Sequence, residues 1–277
     1  MTSVPHSYIE ETVNAALTED IGSGDITSSI IPEDEVSLAN VISREHAIIC
    51  GIDWFEEVFN QLDPNVFIDW EVDDGDEVEA NQQLCTLSGP TRSLLTGERT
   101  ALNLLQTLSG TATLTRRYVD AIKNTRAKLL DTRKTIPGLR LAQKYAVSCG
   151  GGFNHRIGLF DAILIKENHI HAAGGIAEAI QSARFNNPDM SVEVEVENIE
   201  QLQQAITAHA ERVLLDNFDL ELLREAVAIT NKQLELEASG GVNLDTIQAI
   251  AQTGVDFISC GALTKNVIAI DLSMRFI

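Results

Sequence analysis

The sequence predicts an α/β protein whose second half is built from parallel β/α units. Three observations carry this. From residue 127 onward, six short apolar segments alternate with helical ones, and such alternation returns each strand through a crossover that covers a face of a parallel sheet. Hydrophobic residues make up 44% of the 277, enough to bury a sizeable core. Six or seven such units suggest a barrel, complete or open, with chemistry at the C-terminal ends of the strands.

The elements follow in order. Residues 7–19 read as a helix, with Ile9, Val13, Ala16 and Leu17 near helical spacing. Residues 36–49 and 66–88 read as strands broken by Asp-Asp-Gly-Asp and Asn-Gln-Gln turns, with a short helix over 54–62 between them. The piece DGDEVEANQQLCTLSG resembles the strand–turn–strand of lipoyl or biotinyl carriers, but no lysine sits in a turn to carry a cofactor, so it reads as scaffold. A long helix follows Pro90 and runs toward Asn124, with Leu94, Leu95, Ala101, Leu102, Leu105 and Leu108 on its apolar face. Ser109-Gly110-Thr111 is expected to break or bend it. The strands of the second half are then 127–132, 162–167, 192–197, 212–217, 234–239 and 256–261. The intervening helices are 139–149, 171–185, 198–209, 219–231 and 243–253.

Charge narrows the function. Twenty basic against 41 acidic residues give −21, which argues against nucleic-acid or anionic-membrane partners. The segment from Arg126 to Lys166 is the exception: eight basic residues face only Asp131 and Asp161, a local +6. A basic island in an acidic chain suggests a small, highly anionic ligand; a solvated basic face is the alternative. No apolar run is long enough to span a membrane, and the N-terminus lacks a secretory pattern, so a cytoplasmic protein is expected. Cys50, Cys85, Cys149 and Cys260 are scattered and read as buried free thiols, with neither a disulfide frame nor a zinc site.

The strand ends hold the chemistry. The first reads Asp131-Thr132-Arg133-Lys134-Thr135, two cations with two hydroxyls, an anion site. Gly150-Gly151-Gly152 then suggests a mobile loop before Asn154-His155-Arg156. Lys166 closes the second strand, as a Schiff-base nucleophile or a charge clamp. Glu193, Glu195 and Glu197 share one face of the third strand. In a barrel whose outer face is covered by helices they point inward, where they need cations or a metal. Asp216 ends the next strand, and oxygen ligands of this kind suit Mg²⁺ held jointly with substrate phosphates. Ser239-Gly240-Gly241 and Cys260-Gly261-Ala262 end the last two strands and offer backbone N–H groups to a phosphate. His169 and His171 lack a third ligand for a metal.

Residues 131–170, DTRKTIPGLRLAQKYAVSCGGGFNHRIGLFDAILIKENHI, resemble the signature region of the quinolinate phosphoribosyltransferases, the carboxylating nicotinate-nucleotide pyrophosphorylases. The likeness extends through GERTALNLLQTLSGTATLT, VEVEVEN, LLDN and ASGGV. It implies an N-terminal α/β sandwich over 1–110, with 270–277 returning to it, and an open seven-stranded α/β barrel over 111–269. It implies that quinolinate and phosphoribosyl pyrophosphate give nicotinate mononucleotide, pyrophosphate and CO₂, with Mg²⁺ and no organic cofactor. It places quinolinate on Thr132, Arg133, Lys134, His155, Arg156 and Lys166, with Arg99 from a partner subunit. The phosphoribosyl and metal side falls on Glu195, Asp216, the Ser239–Gly241 turn and the Cys260–Ala262 turn. Lys134, Lys166, Glu195 and Asp216 are the expected catalytic groups, and Glu195 and Asp216 the metal ligands, partly through water or substrate. Homodimers or larger homo-oligomers with shared sites are implied. A molybdate-transport paralogue of similar fold and a Schiff-base aldolase using Lys166 are the rivals; the intact RKT and NHR motifs favour the biosynthetic enzyme.

Overall fold

The computed structural model describes residues 4–277. Helix α1 (His6–Ile21) buries Ile9, Val13 and Leu17, one residue per turn on one face. A single 3₁₀ turn, Ser28–Ile30, leads to β1 (Val36–Ser43) and β2 (Ala47–Ile48). Helix α2 (Ile52–Leu62) buries Trp54, Phe55, Val58 and Phe59. Its first N–H groups, those of Gly51 and Ile52, donate to Asp74 Oδ1 at 2.9 and 3.2 Å. Strands β3 (Phe67–Trp70), β4 (Glu77–Val78) and β5 (Gln83–Pro90) precede α3 (Thr91–Ile122).

The second half runs β6 (Lys128–Leu130), α4 (Arg140–Cys149), β7 (Ile163–Ile165), α5 (Glu167–Ala173), α6 (Ile176–Asn186), β8 (Val192–Val196), α7 (Ile199–Thr207) and β9 (Arg212–Asp216). It ends α8 (Leu220–Thr230), β10 (Glu235–Ser239), α9 (Ile247–Ala251), β11 (Phe257–Ser259), α10 (Ala262–Lys265) and β12 (Leu272–Phe276).

Two compact units result. One holds residues up to Arg116, Ile136–Gly151 and Asn266–Ile277; the other holds Arg117–Thr135 and Gly152–Lys265. The first contains an antiparallel sheet in the order β12-β1-β5-β3, so the C-terminal strand pairs with β1, Val41 opposite Met274. The second contains a parallel sheet in the order β6-β11-β10-β9-β8-β7. This is the expected α/β architecture, but with six regular strands. The seventh position is a single parallel bridge from Phe153 to Leu130, because the segment turns away after one residue toward Asn154.

Three expectations of the sequence are corrected. Helix α3 runs unbroken through Ser109-Gly110-Thr111. Ser109 Oγ accepts from Cys50 N–H at 3.0 Å and Thr113 Oγ1 from Ile48 N–H at 2.8 Å, so these hydroxyls satisfy backbone beside β2 rather than competing with the helix. Gly110 is there for closeness: a Cβ would fall 2.1 Å from Ile268 O. The helix expected over 171–185 is two helices split at Gly174-Gly175, the first already beginning at Glu167. The one expected over 243–253 shrinks to α9, because Asn243 Oδ1 accepts from the N–H groups of Asp245 and Thr246 and forms a turn instead. The glycine run at 150–152 closes α4, with Gly150 and Gly151 N–H donating to Ala146 O and Ser148 O.

All four cysteines are buried and free. Cys50 and Cys149 nevertheless meet Asp74, with ligand atoms within 4.8 Å of one another, a grouping their sequence spacing hides. Asp74 already caps α2 and accepts from Tyr145 Oη at 2.9 Å. Among the described residues no helix is long and apolar enough to cross a membrane.

Candidate active site

Because the sheet of the second unit is wholly parallel, the C-terminal ends of its strands lie along one edge. Register places the predicted residues there. Asp216 ends β9 opposite Ser239, which ends β10. Ile165 pairs with Val194, which sets Lys166 beside Glu195. Cys260 N–H donates to Leu130 O at 2.9 Å, which sets the Cys260-Gly261-Ala262 turn beside Asp131-Thr132-Arg133-Lys134. Thr264 Oγ1 donates to Lys134 O at 2.8 Å and ties the two turns together.

Lys166 Nζ donates to Glu195 Oε2 at 2.5 Å. An ammonium held this way is a charge clamp; a Schiff-base nucleophile needs the free amine. The backbone of Lys166 is fixed as well, its N–H donating to His169 Nδ1 at 3.0 Å. This absorbs His169 into the α5 start and leaves His171 exposed in the last turn of the same helix.

The three inward glutamates of the sequence separate. Glu195 is half-buried with Lys166. Glu197 lies past the end of β8 and is exposed. Glu193 is 6% exposed and accepts from His155 Nε2 at 2.9 Å. Burial is the main force raising the Glu193 carboxyl above its ordinary range. Glu237 on β10, fully buried, lies 3.5 Å from the same His155 nitrogen. Burial first, then the charge of Glu193, pushes its pKa up to about 8.

His155 and Arg156 sit on the segment after the Phe153 bridge. Asp131, fully buried at the end of β6, accepts from His155 N–H at 2.9 Å and Asn154 Nδ2 at 2.7 Å. Burial, and after it the guanidinium of Arg133, press the Arg156 pKa below its ordinary value. Two guanidiniums that repel each other at a strand end make a receptor for an anion.

In the middle of the row, after β9 and β10, Gly240 has φ +97° and lies against Asn217, where a Cβ would fall 2.1 Å from Oδ1. Asn217 is itself left-handed, and its Nδ2 donates to Asp216 Oδ2 at 2.8 Å, orienting that carboxylate. The Cys260 thiol turns inward to Val242 O at 3.6 Å, so this turn presents backbone rather than sulfur. Arg99 is exposed on α3, in the first unit.

Three residues of the site escaped the sequence reading as functional groups: Asp131, Asn217 and Glu237. The signal for Glu193 was present in the alternation of β8. Glu237 had a weaker version of it in LELEAS, where two glutamates alternate with leucines. Asp131 and Asn217 act through local hydrogen bonds that no spacing announces.

Known proteins resemble the chain along its length. The family model described as quinolinate phosphoribosyl transferase, C-terminal domain, matches residues 111–275, and that for the N-terminal domain matches residues 25–109. A probable nicotinate-nucleotide pyrophosphorylase [carboxylating] of Bacillus subtilis is 42% identical over 270 residues, covering 97% of this chain and 93% of the relative. The solved nicotinate-nucleotide pyrophosphorylase of Francisella tularensis superposes with a TM-score of 0.96 at 52% identity, covering 99% of this chain and 98% of that one. NadC of Streptococcus pyogenes gives 0.96 at 37% identity, over 100% of both chains.

Proposed function

The chain belongs to the quinolinate phosphoribosyltransferase family, and we propose from this and from its strand-end residues how it performs the family's reaction. The enzyme, a pentosyltransferase of NAD biosynthesis, transfers phosphoribosyl from phosphoribosyl pyrophosphate to quinolinate and releases pyrophosphate, CO₂ and nicotinate mononucleotide. The observation that carries the residue assignment is that cations and carboxylates meet at the strand ends: Lys166 Nζ is 2.5 Å from Glu195 Oε2, and Arg156 feels the charges of Arg133 and Glu195. Asp216 ends the strand beside that of Glu195.

Each step then has a residue. Quinolinate carries two carboxylates, and Arg133 and Arg156 each grip one in a two-point fork, with Thr132, Lys134 and Lys166 completing the positive lining. The N–H groups of Gly240 and Gly241 in one turn and of Gly261 in the other face the phosphates of the donor. As the C1–O bond to pyrophosphate lengthens, positive charge grows on the ribose, and Glu195 and Asp216 stabilise it. The ring nitrogen of quinolinate donates its lone pair to C1 and becomes cationic. The C2–carboxylate bond then breaks; its electron pair stays at C2 beside that cation, CO₂ leaves, and a proton takes its place. The substrate supplies its own electron sink.

Mg²⁺ fits the donor set. Glu195 and Asp216 are half-exposed hard-oxygen ligands on neighbouring strands, and two carboxylates leave the remaining positions to water and substrate phosphate. When bound, the ion would neutralise charge on the departing pyrophosphate. We assign the enzyme to the cytoplasm, consistent with four free thiols, and to a homodimer or larger assembly in which the partner's copy of exposed Arg99 completes each site. The direct test is quinolinate-dependent release of CO₂ and pyrophosphate from phosphoribosyl pyrophosphate. Absence of both products from well-folded protein with Mg²⁺ would overturn the reading.

A further inference from the structure

Beneath the row of strand ends lies a second polar layer that the reaction above does not use. It consists of His155, Glu193 and Glu237, whose ligand atoms lie within 4.8 Å of one another. Glu193 precedes Glu195 by two residues on β8, and Glu237 precedes Ser239 by two on β10, so each lies one pleat below a residue of the upper row. Burying two carboxylates side by side is costly unless they are partnered. The alternate positions of both strands are apolar, Val192, Val194 and Val196 on β8 and Leu236 and Ala238 on β10, so the polar side chains are confined to one face of the sheet.

The hydrogen bonds of His155 show what the layer holds. Its Nδ1 accepts from the backbone N–H of Arg156 at 2.8 Å, so that nitrogen presents a lone pair. The ring proton is therefore on Nε2, which donates to Glu193 Oε2 at 2.9 Å. Both ring nitrogens are engaged within the chain, and neither is directed to a ligand. What His155 fixes is its own successor: the bond to Arg156 N–H sets the backbone torsions on either side of that peptide, and with them the direction of the Arg156 side chain. Asp131 holds the same segment from the other side, through His155 N–H and Asn154 Nδ2.

We propose that Glu193 and Glu237 are positioning residues for quinolinate, acting through the Nε2–H tautomer of His155 to aim the Arg156 guanidinium. His155, expected from the family resemblance to touch substrate, works through this backbone bond. The proposal rests on the reading of Arg156 as a quinolinate ligand. Glu193 accepts the imidazole proton. Glu237, with Oε2 3.5 Å from the same Nε2, closes the layer from the β10 side. Arg212, whose Nη1 is 3.9 Å from Glu237 Oε2, bounds it from below and is itself taken up by Glu235.

Two measurements test this. Steady-state kinetics compare Glu193→Leu, which keeps the volume and loses the acceptor, with Glu193→Gln and Glu237→Gln, which keep an oxygen acceptor. Glu193→Leu should raise the quinolinate KM about tenfold or more, as expected when a binding group is misplaced by a fraction of an ångström. The KM for phosphoribosyl pyrophosphate should stay within about twofold, and both Gln variants should stay near wild type in each. Equal change in both KM values, or a Gln variant as poor as Leu, would make the layer merely structural and overturn the proposal. Should Glu193→Leu fail to fold, the second measurement decides: a long-range ¹H–¹⁵N spectrum of histidine-labelled wild-type protein, with His155 assigned by its disappearance in His155→Gln. An unprotonated Nδ1 and a protonated Nε2 are expected; a proton on Nδ1 would overturn the proposal. That spectrum is independent of turnover, so a wild-type enzyme inactive on quinolinate would sink the functional reading alone.

Discussion

Lys166 Nζ lies 2.5 Å from Glu195 Oε2, so the cation of the quinolinate side and the carboxylate of the ribose side are one ion pair. Neither charge is then set alone. Glu195→Gln removes charge that acts on the developing ribose cation and should lower kcat about a hundredfold, with a smaller effect on quinolinate affinity. Asp216→Asn should act in the same direction. Steady-state kinetics checks both; an intact kcat with weakened quinolinate binding would place these carboxylates at the wrong end of the pocket.

Arg133→Ala should cripple quinolinate binding. Truncating one partner of a desolvated charge pair costs about 2–5 kcal/mol. Arg133→Lys should also bind poorly, because an ammonium cannot reproduce the planar fork. Calorimetric titration of each variant with quinolinate decides; unchanged affinity would remove Arg133 from the site.

Arg99→Ala and Arg133→Ala test site sharing. Each homodimer should be nearly inactive. When the two are mixed and re-equilibrated, roughly half the dimers are mixed, each with one intact site, so about a quarter of wild-type activity should return. No recovery despite demonstrated subunit exchange would mean that Arg99 serves its own chain.

Glu237 should make stability depend on pH. Its folded pKa of about 8 lies above the ordinary 4.5, so the folded state binds more protons than the unfolded state between these values. The contribution is therefore complete below pH 4.5 and is lost as pH rises toward 8. Glu193, His155 and Arg212 face the group and stay in place in Glu237→Gln, which removes this one titration. Melting temperatures across that range should fall more steeply for wild type than for the variant, and parallel curves would assign the slope elsewhere.

Gly110→Ala should destabilise the protein although it replaces glycine by the best helix former. A methyl group 2.1 Å from Ile268 O cannot be accommodated without moving backbone. Overpacking of this kind costs about 1–3 kcal/mol, against a helix-propensity gain of about 1 kcal/mol. Denaturant melts should show a lower midpoint; a stabilised variant would mean that the segment near Ile268 yields freely.

What the sequence revealed, and what it hid, divides by the range of the forces involved. Parallel strands such as β7 and β9 were legible because burial on both faces leaves apolar runs such as AILI and VLL, and the basic island was legible because its charges are close in sequence. The unbroken α3 was not, because Ser109-Gly110-Thr111 looks like a helix break until the backbone N–H of Cys50 is seen beside Ser109 and Ile268 O against Gly110. The site divides in the same way. Arg133, Lys166, Glu195 and Asp216 stand at strand ends, where position alone marks them. Glu237 sits mid-strand among apolar residues, and only its approach to His155, 82 positions away in sequence, gives it meaning.

The pairing of β12 with β1 ties the chain's assembly to the order of its synthesis. Val41 finds its partner Met274 only after more than 200 intervening residues have been made. Until then, the outer edge of β1 is a row of open backbone donors and acceptors on a ribosome-bound chain. The parallel sheet closes earlier, since every strand in it, from Lys128 to Ser259, emerges before β12 does. The antiparallel sheet is therefore begun before the parallel sheet and completed after it, and the reaction chamber can form while that first sheet still waits for its last strand.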